Sequence, residues 1–368
     1  MSDDEPSGPP QPRENPFFLG HDDAVRTLLD AQDSGRMAHA WLIQGPRGIG
    51  KATLAYRFAR HLLAGGGNGA GDLFAGGDTD APPRDMAMDP DDAVFRRVAA
   101  RGHADLLTVE RRVDDKGKMR TVISVDDVRQ VTAFLRLTAA EGGWRVVIVD
   151  CADDMNPNAA NALLKVLEEP PARALLMLLS HSPGRLLPTI RSRCRRMVMA
   201  SLGDDLMARL LAHYRPDLEG DDATALSRLA EGSIGGALAL AEAGGLELYR
   251  DVHGLLETLP DIDVVRLHAL ADRVGKIGAE DVFRTVAELL QWWLAGLIRV
   301  AAGDSAHAPT DPKERELMLR LTGRTGLDRW LEVWEKTTRL LARAGGANLE
   351  RRQVFLNAVL DLEAAARG

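Results

Sequence analysis

The chain has 368 residues, of which 45% are hydrophobic and 27% charged; this excludes disorder throughout and favours two or three domains. Its formal net charge of -8 argues against tight nucleic-acid binding through bulk charge. Two cysteines are too few for a disulfide framework or a four-thiolate zinc site, and no stretch reads as a signal core or a membrane span. We therefore expect a cytoplasmic protein.

Short apolar runs alternate with amphipathic segments after an acidic, proline-rich stretch, residues 1–16, that predicts a disordered tail. Strands are predicted at residues 41–44, 106–109, 146–150, 175–180 and 197–199. Several of these runs lack polar alternation, as expected for strands covered on both faces. The alternation of strand and helix predicts an α/β domain over residues 17–200, with a parallel sheet.

Two helices of this domain carry clear start signals. Ser124 with Asp127 resembles a capping box, and Asn156 is followed by Pro157 in the first turn of a helix that Pro170 stops. Residues 64–92 are rich in Gly, Asp and Pro and predict an exposed insertion.

Strand patterns end near residue 200, and helical patterns continue to the C-terminus. A break at residues 259–263 separates a small helical domain, 201–258, from a helical C-terminal domain, 259–368. The predicted architecture is therefore one α/β domain followed by two helical domains.

A phosphate-binding loop is predicted directly after the first long strand. Gly45, Gly48 and Gly50 allow backbone N–H groups to surround phosphate oxygens, and Lys51 can reach the terminal phosphates. The next residue should carry a hydroxyl for magnesium, but it is Ala52.

A second element of a nucleotide site is an apolar strand that ends in Asp150, the pattern in which a carboxylate orders the magnesium shell. It is followed by Cys151, a poor base, where a hydrolysing enzyme needs a glutamate. Hydrolysis is therefore predicted to be lost. Two interpretations remain open for Gly45, Gly48, Gly50, Lys51, Thr53 and Asp150: they still bind ATP with magnesium, or they are a vestige that binds nothing.

Beyond single motifs, most of the chain resembles the clamp-loader subunits of bacterial DNA polymerase III, which belong to the AAA+ family. The resemblance runs from about residue 15 to the C-terminus and is carried by His39-Ala40, residues 103–105, ISVDDVR (123–129), VIVDCADD (147–154), NAANALLKVLEEPP (158–171) and PTIRSRC (188–194). It implies an AAA+ core with a five-stranded parallel sheet and helices on both faces, a helical lid and an all-α collar.

The last of these motifs resembles the family's SRC motif, here Ser192, Arg193 and Cys194. The resemblance implies that Arg193 is an arginine finger that enters the ATP site of a neighbouring subunit in trans. From composition alone, the arginines at 191, 193, 195 and 196 would instead form a solvated basic patch.

Two further positions depart from a working ATPase of this family. Gly235 stands where ATP-binding relatives carry a sensor arginine, and Ser180-His181 replaces a polar sensor at the end of a strand. The family's four-cysteine zinc module is also missing, because residues 64–92 contain no cysteine, so we expect no metal. Loss of the site in cis beside an intact finger in trans implies a subunit without its own hydrolytic activity.

The expected function is that of a non-hydrolysing stator in the clamp loader during DNA replication. Its implied partners are the tau or gamma ATPase subunits and the delta subunit in a hetero-oligomer, the sliding clamp, and primed DNA met only within the complex. Polymerase nucleotidyltransferase activity would belong to it by association alone. The alternatives are an ATP-hydrolysing motor subunit of the tau or gamma type and a P-loop kinase, which should carry a Ser or Thr after Lys51.

Overall fold

A computed structural model of the chain describes residues 9–65, 86–113, 119–141, 143–304, 312–346 and 350–368. Most of the insertion predicted at 64–92, and the first half of the predicted tail, lie outside these described residues. Contacts divide the chain into two compact units, Met1–Pro216 with Ala230–Gly236, and Asp217–Leu229 with Ala237–Gly368. The residues predicted as a lid, 201–258, are thus shared between the units, and the division into three domains stays a prediction.

A parallel five-stranded sheet forms the centre of the first unit. Its strands are β1 (Ala40–Gln44), β2 (Leu106–Val109), β3 (Arg145–Val149), β4 (Ala174–Ser180) and β5 (Arg195–Val198). They lie in the order β2-β3-β4-β1-β5, with Leu42 paired with Leu178 on one side and with Arg196 on the other. Every residue of β3 and β4 is buried, which explains why their sequences are apolar except at Arg145, the first residue of β3, and Ser180, the last of β4.

Helices cover both faces of this sheet, as predicted. They are α1 (Asp22–Asp33), α2 (Lys51–Leu63), α3 (Ala93–Ala99), α4 (Val125–Arg136), α5 (Pro157–Glu168) and α6 (Pro188–Arg193); α7 (Asp204–Tyr214) follows the last strand. One hydrophobic core lies under α1, α2 and α3, and a second lies under α4 and α5. Alternate residues of each strand supply the two cores: Trp41 and Ile43 of β1 face the first, and Leu42 faces the second.

Both predicted helix starts are confirmed. Ser124 and Asp127 form a reciprocal capping box at the start of α4. At the start of α5, the Asn156 side chain accepts a hydrogen bond of 2.8 Å from the Ala159 amide, and Pro157 occupies the first turn. These caps fix where the two helices begin relative to the strand ends.

Residues 13–16, which the sequence placed in a disordered tail, are held against α2. Arg60 donates to the carbonyl oxygens of Arg13 and Asn15, both at 2.9 Å, and Arg57 donates to that of Pro16 at 2.8 Å. Both arginines are buried, and carbonyl acceptors satisfy donors that would otherwise be costly to bury. The structure therefore differs from the prediction at this end of the tail.

The second unit is entirely helical in its described residues. Its helices are α8 (Gly220–Leu229), α10 (Gly245–Leu256), α11 (Val264–Gly275), α12 (Glu280–Ala301), α13 (Pro312–Arg324), α14 (Leu327–Gly346) and α15 (Arg351–Arg367), while α9 (Ile234–Glu242) begins in the first unit and ends in the second. The helices share one core, in which Trp293 of α12 and Trp330 of α14 are almost fully buried. No helix among the described residues is long and apolar enough to cross a membrane.

Candidate degenerate nucleotide site and arginine finger

The glycine-rich segment forms a tight loop at the carboxyl end of β1. Gly45, Gly48 and Gly50 have φ values of 153°, 75° and 104°, which residues with side chains rarely adopt. A Cβ at Gly45 would lie 2.2 Å from the Met199 carbonyl oxygen. Because α2 begins at Lys51, directly after the loop, the segment has the strand, loop and helix order of a phosphate-binding loop.

Lys51 is turned back into this loop. Its side chain is nearly fully buried, and Nζ donates to the carbonyl oxygens of Gly45, at 2.7 Å, and Pro46. Burial lowers the pKa of Lys51 to about 8, although Asp150 and Asp153 favour its charged form. The ammonium group that should reach phosphate is thus bonded to its own loop.

The magnesium-binding position of the loop has no hydroxyl. Ala52 packs against the core beneath α1 and α2, so a methyl group stands where a metal ligand is needed. Thr53, the next residue, is half-buried on α2. A part for Thr53 in nucleotide binding stays a prediction.

Asp150 and Cys151 follow β3 near this loop. Burial raises the pKa of Asp150, and Glu110 raises it further, while Lys51 opposes the shift. Cys151 has a left-handed backbone with φ 62°. Burial and a hydrogen bond with Asp154 raise the pKa of its thiol to about 12, so the thiol is protonated at neutral pH and cannot act as a base.

Asp153 is a structural residue of the site that the sequence did not reveal. Its carboxylate accepts hydrogen bonds from the Ser180 hydroxyl at 2.7 Å and from the amides of His181 and Ser182 at 2.5 and 3.2 Å. It therefore joins the turn after β3 to the end of β4. Three donors of the same subunit thus hold the Asp153 carboxylate in place.

A turn at residues 230–236 closes over the phosphate-binding loop. The Gly235 amide donates to the Gly48 carbonyl oxygen at 2.9 Å, and the Ser233 hydroxyl donates to that of Arg47 at 2.8 Å. A Cβ at Gly235 would lie 3.0 Å from the Gly48 Cα and 3.2 Å from its carbonyl oxygen. Gly235, the position at which the family resemblance implies a sensor arginine in ATP-binding subunits, is therefore packed against the loop itself.

Replacing Gly48 with alanine is expected to destabilise the first unit by about 2–4 kcal/mol, because the new Cβ would combine a positive φ with a contact 2.3 Å from the Ser233 hydroxyl. Gly35→Ala is the matched control, since Gly35 also has a positive φ, of 66°, but no atom within 4 Å of a Cβ. It should cost only about 1–2 kcal/mol. Hydrogen exchange of peptides from α2 measures the difference, and equal losses would show that the contact with the turn is unimportant.

The SRC residues lie at the end of α6 and just beyond it. Ser192 donates its hydroxyl to the Thr189 carbonyl oxygen at 3.1 Å. Arg193 keeps 36% of its side chain exposed and pairs with Glu168 at 2.8 Å. Cys194 is buried, which raises its pKa to about 12, and it packs in the core beneath α4 and α5. Of these three side chains, only Arg193 has a charged group at the surface.

Arg193 and the phosphate-binding loop lie at opposite ends of the sheet. In the parallel pairing of β1 with β5, Trp41 is opposite Arg195 and Gln44 is opposite Val198. Arg193 therefore precedes the amino end of β5, whereas Gly45 follows the carboxyl end of β1. At about 3.3 Å per residue the shared strand length alone separates them by roughly 10 Å.

The structure thus brings the predicted nucleotide-binding residues together and places the three SRC residues away from them. Gly45, Gly48, Gly50, Lys51 and Asp150 meet at the carboxyl end of the sheet, and Ser192, Arg193 and Cys194 lie at the amino end. Among the described residues, no group of three or more His, Cys, Asp or Glu side chains could hold a metal ion.

Comparison with known proteins gives one matching family and several similar proteins. The family described as "DNA polymerase III, delta subunit" matches residues 20–203. The DNA polymerase III subunit delta' of Pseudomonas aeruginosa is 39% identical over 196 residues, which are 53% of each chain. That of Escherichia coli is 30% identical over 320 residues, which are 80% of this chain and 87% of the relative.

More distant matches include the DNA polymerase III subunit tau of Salmonella typhimurium, 27% identical over 284 residues, which are 74% of this chain and 40% of the relative. A solved structure of a gamma subunit-related protein from Thermotoga maritima covers 93% of this chain and 99% of its own at 18% identity, with a TM-score of 0.43. The chain spans about half the length of the Pseudomonas relative and less than half that of tau. On the family match and the Escherichia coli relative, the chain belongs to the delta' family of DNA polymerase III clamp-loader subunits.

Proposed function

We propose that the chain is a non-hydrolysing stator of the clamp loader, which supplies Arg193 in trans to a neighbouring ATPase subunit and helps to load the sliding clamp on primed DNA. It would act in the cytoplasm within a hetero-oligomer containing tau or gamma and delta subunits. The observation that carries this proposal is the position of Arg193. The residue lies at the opposite end of the sheet from its own phosphate-binding loop and is partly exposed there, a position that suits a nucleotide held by another subunit rather than by its own loop.

The state of the loop in cis supports the same proposal. Hydrolysis needs a metal ligand, a base and a free lysine. Here the first position is Ala52, the second is a protonated Cys151, and Lys51 is bonded to the carbonyl oxygens of its own loop. Gly235, packed on Gly48, removes the sensor position as well. Binding of DNA would be through phosphates and within the complex only, since the net charge of -8 disfavours binding by the chain alone.

The alternative is an ATP-hydrolysing motor subunit of the tau or gamma type, which is favoured only by the retained loop glycines, Lys51 and Asp150. One assay of the purified chain with ATP and magnesium distinguishes a non-hydrolysing subunit from an ATP-hydrolysing one. We expect no phosphate release above that of a Lys51→Ala variant, because none of the groups that activate water is present. ATP turnover by the parent chain that is lost in the Lys51→Ala variant would instead show that the chain is a motor subunit.

A further inference from the structure

Two acceptors of its own chain hold the guanidinium of Arg193. Nη2 pairs with Glu168 Oε1 at 2.8 Å, and Nη1 donates to the Thr189 carbonyl oxygen at 3.1 Å. Both terminal nitrogens thus have partners in the same subunit. A guanidinium that binds phosphate in the strong bidentate mode uses two of its nitrogens side by side. The observed arrangement therefore points the finger back onto its own surface.

We propose that Glu168 is a latch for the arginine finger: it holds Arg193 on its own subunit until the terminal phosphate of a neighbour's nucleoside triphosphate displaces it. Glu168 is then a positioning residue that acts through Arg193 and does not touch the nucleotide. This inference rests on the proposed function, because it names the control of the same finger.

The placement of Glu168 makes such a latch specific. It is the last residue of α5, and Pro170 and Pro171 end the chain's helical path just beyond it. The carbonyl dipoles at a helix C-terminus disfavour a carboxylate, so a nearby cation stabilises the charged form of Glu168. Arg193, the last residue of α6, meets that need because α6 packs against α5.

The pair is weak enough to exchange. The side chains of Arg193 and Glu168 are 36% and 49% exposed, and ion pairs at this exposure contribute little to stability. A terminal phosphate carries more charge than one carboxylate and can accept two parallel hydrogen bonds from the guanidinium. Exchange of Glu168 for phosphate is thus favourable once the neighbouring subunit holds ATP. An empty neighbour offers no such compensation.

The test uses the complex reconstituted with its ATPase and delta subunits, and measures kcat/KM for ATP in single-turnover clamp loading, because bulk turnover also contains sites that do not face this subunit. Because reaching the transition state requires breaking the latch, Glu168→Gln should raise kcat/KM by about twofold to fivefold. The gain should shrink at high salt, which screens the exposed pair in the parent complex. Glu169→Gln removes the adjacent exposed carboxylate as a matched control and should leave kcat/KM unchanged.

An Arg193→Ala background separates the latch from the finger itself. If Arg193→Ala slows hydrolysis and Glu168→Gln has no effect in that background, the gain acts through the finger, as proposed. If Arg193→Ala slows hydrolysis but Glu168→Gln alone leaves kcat/KM unchanged or lowers it, Glu168 is not a latch, and the proposed role of Arg193 as a finger is retained. If Arg193→Ala has no effect, the proposed function itself fails.

Discussion

Replacing Arg193 with alanine is expected to slow ATP hydrolysis by about 10³-fold or more at the one site that this arginine faces in the reconstituted clamp loader. A guanidinium delivered across the interface neutralises charge that develops on the transferred phosphoryl oxygens, and no other group of the truncated side chain can do so. Single-turnover clamp loading on primed DNA measures the effect directly, because bulk turnover also contains the sites that do not face this subunit.

Two controls make that result interpretable. Arg196 is exposed on the neighbouring strand β5, and Arg196→Ala removes an equal charge from the same end of the sheet. It should leave the single-turnover rate within about twofold of the parent. Because the Arg193 pair is exposed, Arg193→Ala should also leave thermal unfolding unchanged and assembly intact. Normal clamp loading by an assembled Arg193→Ala complex would show that Arg193 does not act as an arginine finger.

The second large effect concerns stability, and we expect Asp105→Ala to destabilise the first unit by about 3–5 kcal/mol. Asp105 is almost fully buried and accepts hydrogen bonds from the amides of Ala140 and Glu141 at 2.9 and 3.1 Å. It also pairs at 3.5 Å with Arg145, which is itself buried. Alanine would leave two amides without their acceptor and the Arg145 charge without its counter-ion.

Hydrogen exchange resolves this loss, because the chain has two units and its global unfolding need not be two-state. Amides of β2 and β3 should lose protection by roughly 10²-fold to 10⁴-fold in Asp105→Ala, which corresponds to about 3–5 kcal/mol. Asp126→Ala is the control, since Asp126 makes only an exposed pair with Arg129 one turn along α4 and should cost less than 1 kcal/mol. Equal effects of the two substitutions would contradict the importance we assign to burial.

Local features were predictable from sequence because neighbouring residues determine them. The strand predicted at 106–109 has those bounds in the structure, and the capping residues Ser124 and Asn156 are confirmed. The last strand was less accurate: predicted at 197–199, it spans Arg195–Val198. It lies at the edge of the sheet, where exposed arginines are compatible with a strand, so apolar character alone missed its start.

Contacts between distant residues were not predictable in the same way. The motif spacing places the loop glycines and Asp150 near one another, as the structure does. It contains no information that Asp153 binds the end of β4, that Gly235 packs on Gly48, or that Glu168 pairs with Arg193. The most distant of these pairs, Gly48 and Gly235, is 187 residues apart in the sequence. Such contacts depend on how helices pack on the sheet.

Under the proposed function, the contact between Gly48 and Gly235 makes ATP hydrolysis by this chain hard to regain in evolution. An arginine restored at position 235 would press on the loop before any nucleotide could reward it, since a Cβ there already lies 3.0 Å from the Gly48 Cα. A hydroxyl restored at position 52, or a glutamate at 151, gives no advantage while the loop is closed. Each single reversion is therefore expected to be neutral or harmful, and under the proposed function a lineage that has acquired this contact stays a partner to other ATPases.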